Sequence, residues 1–183
     1  MRLETERLVL RSSEERDRAP LAAVLGDPEV RRFYPKALSF AEASAQFDGV
    51  LARQAQTGFH FGAAELRSDG SFVGMVGLGA PADIIRDAIP GRPGIEIGWQ
   101  FGKAFWGQGL APEAARAWLA YGFTTLGLDE VVAFTYEGNL PSQRVMEKIG
   151  MRRDPEGDFL HPVLPPDHRL RPHVLYRVRN PRA

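Results

Sequence analysis

The chain contains no cysteine, and that absence removes disulfides, thiolate metal sites and a cysteine nucleophile together. It lacks an excess charge of either sign, since 23 basic and 23 acidic residues cancel. No global field therefore draws it to nucleic acid or to an anionic membrane. Long apolar runs are also missing: no stretch approaches the roughly 20 apolar residues of a membrane span. The opening MRLETERLVL carries charges where a signal peptide needs an apolar core. The expectation is a cytoplasmic protein with no membrane or nucleic-acid partner. Histidines number four, and His161, His168 and His173, near Asp158 and Asp167, match no zinc spacing, so no metal is expected.

What is present is ordinary globular material, with 44% hydrophobic and 25% charged residues over 183 positions. That predicts one domain over residues 1–183. The arginines of the tail, Arg169, Arg171, Arg177, Arg179 and Arg182, read as a solvated strand face. Residues 2–11 read as a first strand, and residues 12–30 as a helix with Leu21, Val24 and Leu25 at helical spacing. Pro28 to Tyr34 predicts a short helix that ends before Pro35. Ser39 and Glu42 have the spacing of a capping box, ahead of a long helix with Phe40, Ala43, Phe47, Val50 and Leu51 on one side.

From Phe59 the period changes to two, and Ser68, Asp69 and Gly70 separate two β-type runs as a hairpin turn would. GIEIGWQF, residues 94–101, alternates as a strand. A glycine-rich stretch, FWGQGLAPEA, then precedes an apolar helical pattern through Leu110, Ala114, Trp118, Tyr121 and Leu126. A strand EVVAFTY, a short helix NLPSQRVMEKIG and two strands around a proline-rich loop complete the chain. This order predicts α/β layers around a largely antiparallel sheet, with one parallel crossover through the Leu110 helix.

Glycines before a helix let its unpaired N–H groups close around phosphate oxygens. Gly107 and Gly109 fit that role. A Walker loop would need lysine and a hydroxyl that GQGLAPE does not supply. A dinucleotide fingerprint, with Glu137 as its ribose acid, would need glycine or alanine where Pro112 stands. WGQGLAPEA after EIGWQF, with NLPSQRVMEKIGM one strand later, resembles the GNAT superfamily of N-acetyltransferases. Trp106, Gly109 and Ala111 occupy the positions of its Q/R-x-x-G-x-G/A motif. The tryptophan departs from the general motif but is similar to the Rim-type branch, which acetylates ribosomal-protein N-termini. LETERLVLR, DPEVRRFYP and HPVLPPDHRLRPHVLYRV extend that resemblance over nearly the whole chain.

The resemblance implies a GNAT-type domain: a mostly antiparallel sheet of about seven strands with a V-shaped splay, and helices on both faces. It implies acetyl-CoA as cosubstrate, and a protein N-terminus or a small-molecule amine as acceptor, in a monomer or homodimer. Its cofactor contacts fall on Ile97, Gly98 and Trp99 of the strand, on Trp106, Gly107, Gln108, Gly109, Leu110 and Ala111 of the knot, and on Asn139 and Ser142. Many relatives place a tyrosine acid where this chain has Met146, whereas the Rim-type branch uses a serine that Ser142 matches. Ser142 thus stands as proton donor or as a hydroxyl bonded to backbone. Glu96 stands as general base, through a raised pKa or a water, or as a structural partner of an arginine. The acceptor would meet Phe33, Tyr34, His161 and His168. Without a tyrosine at Met146, a non-catalytic acyl-CoA-binding module of the same fold is the alternative.

Overall fold

The computed structural model describes residues 1–181; Arg182 of the tail cluster lies outside the described residues. The chain gathers into two compact units, residues 1–78 with 98–118 and residues 79–97 with 119 onward.

In the first unit, strands β1 (Arg2–Glu4), β2 (Leu8–Arg11), β3 (Gly62–Leu66) and β4 (Phe72–Gly79) pair antiparallel in sequence order. Register sets Leu3 against Leu10 and Leu10 against Ala64, so Leu8 and Leu10, two residues apart, both face inward and are fully buried. Helices α1 (Arg18–Gly26) and α2 (Phe40–Thr57) cover this sheet through a core of Leu21, Leu25, Ala43, Phe47, Val50 and Met75. Burial of a side chain such as Phe47 stabilises by about 1.5–3 kcal/mol. The α2 N-terminus is a capping box: the Glu42 N–H donates to Ser39 Oγ at 3.3 Å and the Ser39 N–H to Glu42 Oε2 at 2.9 Å. Arg11, buried, donates to both oxygens of buried Asp17 at 2.7 Å and also to Glu65. That ion group ties β2 to β3 and to the entry of α1. Strand β5 (Glu96–Phe101) belongs to this unit from Gly98 on, and the Gly102 N–H just beyond it donates to the Val73 carbonyl at 2.9 Å.

In the second unit, β6 (Glu130–Tyr136) pairs antiparallel with β9 (Pro172–Arg179), from Glu130 opposite Arg179 to Tyr136 opposite His173. The two-residue strands β7 (Arg152–Arg153) and β8 (Phe159–Leu160) also pair with β9. Glu96 of β5 pairs parallel with Val132 of β6, as the expected crossover through α4 (Leu110–Thr124) requires. Ile89, Val132, Phe159 and Leu175 form this unit's core, joined by α3 (Asp83–Ala88) and followed in the chain order by α5 (Leu140–Lys148).

The fold is α/β with a mostly antiparallel sheet, and the nine strands among the described residues exceed seven because short pieces separate. Residues 2–11 divide at Thr5–Arg7, where the chain turns. The short helix expected through Phe33 and Tyr34 is absent: residues 28–33 form successive turns, with the Tyr34 N–H on the Arg31 carbonyl at 2.8 Å. Pro35 bars its own predecessor from helical backbone, and a pattern this short cannot nucleate a helix alone. Helix α4 ends at Thr124, so Leu126 lies past it.

Candidate active site

The glycine knot is built entirely within the first unit. Gly107 and Gly109 hold φ of 74° and 77°, the left-handed region where a side chain is strained. Two such turns in three residues bring successive N–H groups round to one concavity. Among the described residues, the N–H groups of Gly107, Gln108, Gly109, Leu110 and Ala111 meet no protein acceptor. Pro112, third in α4, has no N–H to leave over. The knot is braced from several sides. Trp106 Nε1 donates to the Phe101 carbonyl at 2.8 Å, Gln108 Nε2 to the Ala104 carbonyl at 2.8 Å, and Arg7 Nη1 to the Gln108 carbonyl at 2.8 Å. Leu110 anchors the first helical turn in the core at 2% exposure. A site of free N–H donors at a helix start, on a fixed scaffold, fits a pyrophosphate.

Arg32 links the knot to a predicted acceptor contact. Its guanidinium lies 4.7 Å from the Phe33 ring centroid and 4.8 Å from that of Trp106, a cation–π arrangement that fixes both rings. Tyr34 carries Arg31 over its own ring at 3.8 Å and is partly exposed. On β5, Trp99 is half-buried, and a Cβ at Gly98 would stand 3.1 Å from Phe61 Cε1. A side chain at that strand position therefore requires the Phe61 ring to shift by a few tenths of an ångström.

The remaining predicted residues belong to the second unit. Ile97 is buried at 2% exposure, while Glu96 is half-buried in register with Val132. Asn139 caps α5: its Oδ1 accepts from the Ser142 N–H at 3.3 Å and its Nδ2 donates to Thr135 Oγ1 at 2.8 Å. The cap is Asn139, and among the described residues the Ser142 hydroxyl makes no hydrogen bond to backbone. Met146 is 2% exposed and serves the core. Tyr176 presents its hydroxyl to Gln143 Oε1 at 3.3 Å and Glu147 Oε1 at 3.4 Å; burial, then the neighbouring Glu147, raises its pKa.

The two acceptor histidines separate in role. The His161 ring lies 4.8 Å from that of His173, which packs on Phe159 at 5.5 Å. Burial holds His173 down to about 4, and lowers His161 as well, so both rings are neutral near pH 7. His168 instead turns inward on its own loop, where Nδ1 accepts from the Leu170 N–H at 3.2 Å. A recess of about 220 Å³ opens beside His173, lined by Glu137, Asp158, Phe159, Leu160 and Pro172.

Of the tail arginines, Arg177 and Arg179 line an open groove of about 830 Å³ with Arg152, Arg153, Glu130 and Asp154. Arg177 bonds Asp154 at 2.5 Å and Glu130 at 2.9 Å, so part of the charge is cancelled. Among the described residues no group of three or more His, Asp or Glu is arranged to hold a metal, and no helix is long and apolar enough to cross a membrane.

Sequence reasoning missed Thr5, Arg7 and Glu113 at the knot. Glu113 accepts from Thr5 Oγ1 at 2.6 Å, from the Arg7 N–H at 2.9 Å and from Arg7 Nε at 2.7 Å. Burial pushes its carboxyl up, but these donors outweigh burial and hold it below the usual carboxylate range. The stretch TER was visible as part of a motif; its partner, more than 100 residues away, was not.

The chain matches the model of the acetyltransferase (GNAT) domain over residues 7–152. It is similar to YkkB of Bacillus subtilis, with 34% identity over 151 residues, 82% of this chain and 84% of that protein. It is also similar to the N-acetyltransferase YnaD of Bacillus subtilis, with 31% identity over 84% of each chain. Among solved structures, a GNAT-family acetyltransferase from Bacillus anthracis superposes with a TM-score of 0.78 at 26% identity, covering 98% of this chain and 99% of that one.

Proposed function

Since the chain belongs to the GNAT acetyltransferase family, we propose that it transfers the acetyl group of acetyl-CoA to a primary amine, either a protein N-terminus or a small-molecule amine. The observation that carries this reading is the row of five unbonded N–H groups from Gly107 to Ala111. Those donors and the α4 dipole would hold the pyrophosphate. The backbone of Ile97, Gly98 and Trp99 would pair with the pantetheine arm, and Asn139 would contribute from the start of α5.

The thioester supplies an acyl group that a neutral amine can attack directly, with no covalent enzyme intermediate. The chain's residues then have three tasks: removing a proton from the amine, stabilising the oxyanion, and protonating the departing sulfur. Glu96, half-buried on β5, would remove the proton, directly or through one water. A β5 backbone N–H would stabilise the oxyanion. Ser142 would return a proton to the thiolate, a role favoured by a hydroxyl left free because Asn139 makes the cap. The acceptor would meet Phe33, Tyr34 and His161; His168, committed to its own loop, is the weaker contact.

The test is thiol release from acetyl-CoA across a panel of peptides with different N-terminal residues, polyamines and aminoglycosides, with mass spectrometry of the products. A mass gain of one acetyl group on one class of amine, matched by CoA release, supports the reading. Binding of acetyl-CoA without release across every amine tried would contradict it.

A further inference from the structure

The knot is held by a side chain about a hundred residues earlier in the sequence. Arg7 Nη1 donates to the Gln108 carbonyl at 2.8 Å. The Gln108–Gly109 peptide is trans, and in a trans peptide the carbonyl and the N–H point in opposite directions. Pinning the Gln108 oxygen toward Arg7 therefore aims the Gly109 N–H away from it, toward the concavity of free donors. Without that hydrogen bond, a peptide between two left-handed glycines is free to rotate, because such glycines tolerate many conformations.

Arg7 is itself oriented. Its Nε and Nη2 meet Glu113 Oε2 at 2.7 and 2.6 Å, and Glu113 is fixed in turn by Thr5 Oγ1 and the Arg7 N–H. The Arg7 Nη2 lies 3.5 Å from where a Gly109 Cβ would stand, so the guanidinium underlies the loop and supports it. Charge is also arranged to suit an anion. A carboxylate in the first turn of α4 would by itself repel phosphate, but Arg7 neutralises Glu113 and leaves the helix start with its positive end.

We propose that Arg7, oriented by Glu113 and Thr5, is a positioning residue that presets the Gln108–Gly109 peptide for the donor's pyrophosphate. This rests on the acetyl-CoA reading above. The experiment compares wild type, Arg7→Ala and Arg7→Lys with two donors: acetyl-CoA, and S-acetyl-pantetheine, which has no pyrophosphate. Arg7→Ala is expected to raise KM for acetyl-CoA about tenfold, the worth of one charge-assisted hydrogen bond. It should leave kcat and the KM for S-acetyl-pantetheine unchanged. Arg7→Lys, which keeps a donor and a charge, should recover part of the loss. An equal rise in KM for both donors, or no rise for either, would overturn the proposal. Calorimetric titration with inorganic pyrophosphate separates it from the reading beneath it. If wild type turns over neither donor, the enzymatic reading fails, while weaker pyrophosphate binding by Arg7→Ala still supports the positioning role and equal binding overturns it.

Discussion

Replacing Gly107 with alanine isolates the strain that the knot holds. The residue sits at φ 74°, and an added Cβ meets nothing within 4 Å, so no clash contributes. The cost is backbone strain alone, about 1–2 kcal/mol for an L-residue in the left-handed region. Trp106 and Gln108 on either side are each tied by hydrogen bonds of 2.8 Å, which limits how far the loop can relax. Two extremes bound the outcome. If the loop keeps its shape, Tm falls by about 2–8 °C for a chain of this size and donor affinity is unchanged. If the loop relaxes, Tm is preserved and the Kd for acetyl-CoA rises about 5- to 30-fold. The free energy of the complex relative to unfolded chain changes by the same amount either way. Thermal unfolding without ligand, combined with calorimetric titration of acetyl-CoA, reads both parts. A variant with unchanged Tm and unchanged Kd would refute the argument that Gly107 is required for its backbone conformation.

Three further outcomes follow from the same geometry. Glu96→Gln should lower turnover and shift its pH profile; an unchanged profile would exclude Glu96 as the base. Ser142→Ala should reduce turnover with little change in donor Kd, because the Asn139 cap on its N–H at 3.3 Å is retained; wild-type turnover would leave Ser142 without a chemical role. His60 is 5% exposed, and burial, with a further contribution from Arg53, lowers its pKa from 6.5 to about 4. The folded state holds it neutral while the unfolded chain protonates below about 6.5, so its contribution destabilises as pH falls from 6.5 toward 4, by up to about 3 kcal/mol. Unfolding of wild type and His60→Gln at pH 7 and pH 5 should show a shallower acid loss in the variant, and parallel losses would count against burial as the cause.

The legible parts of the fold were those encoded over three or four neighbours. Ser39 and Glu42 announced the α2 start because a capping box is local, and Ser68 to Gly70 announced the β3–β4 turn for the same reason. Gly107 and Gly109 marked the knot because few other residues accept their φ. The failures involve distance or brevity. Residues 28–34 carried helix signals but fold as turns, and α3 gave no signal strong enough to read. Strands β7 and β8 are two residues each and exist only because β9 supplies their partners. Arg7 meets Glu113 across 106 residues, and no local pattern encodes such a pairing. The Asn139 cap illustrates a subtler case: the sequence offered two polar groups at the α5 start, and only side-chain placement shows which one serves the backbone.

The most direct measurement is thermal unfolding with acetyl-CoA, CoA and NAD in parallel. The account predicts that acetyl-CoA and CoA, each at about 100 times its Kd, stabilise the protein by roughly 2.7 kcal/mol, while NAD leaves the transition where it was. A shift with NAD alone, or with none of the three, would contradict the claim that the free N–H groups of residues 107–111 receive the pyrophosphate of an acetyl donor.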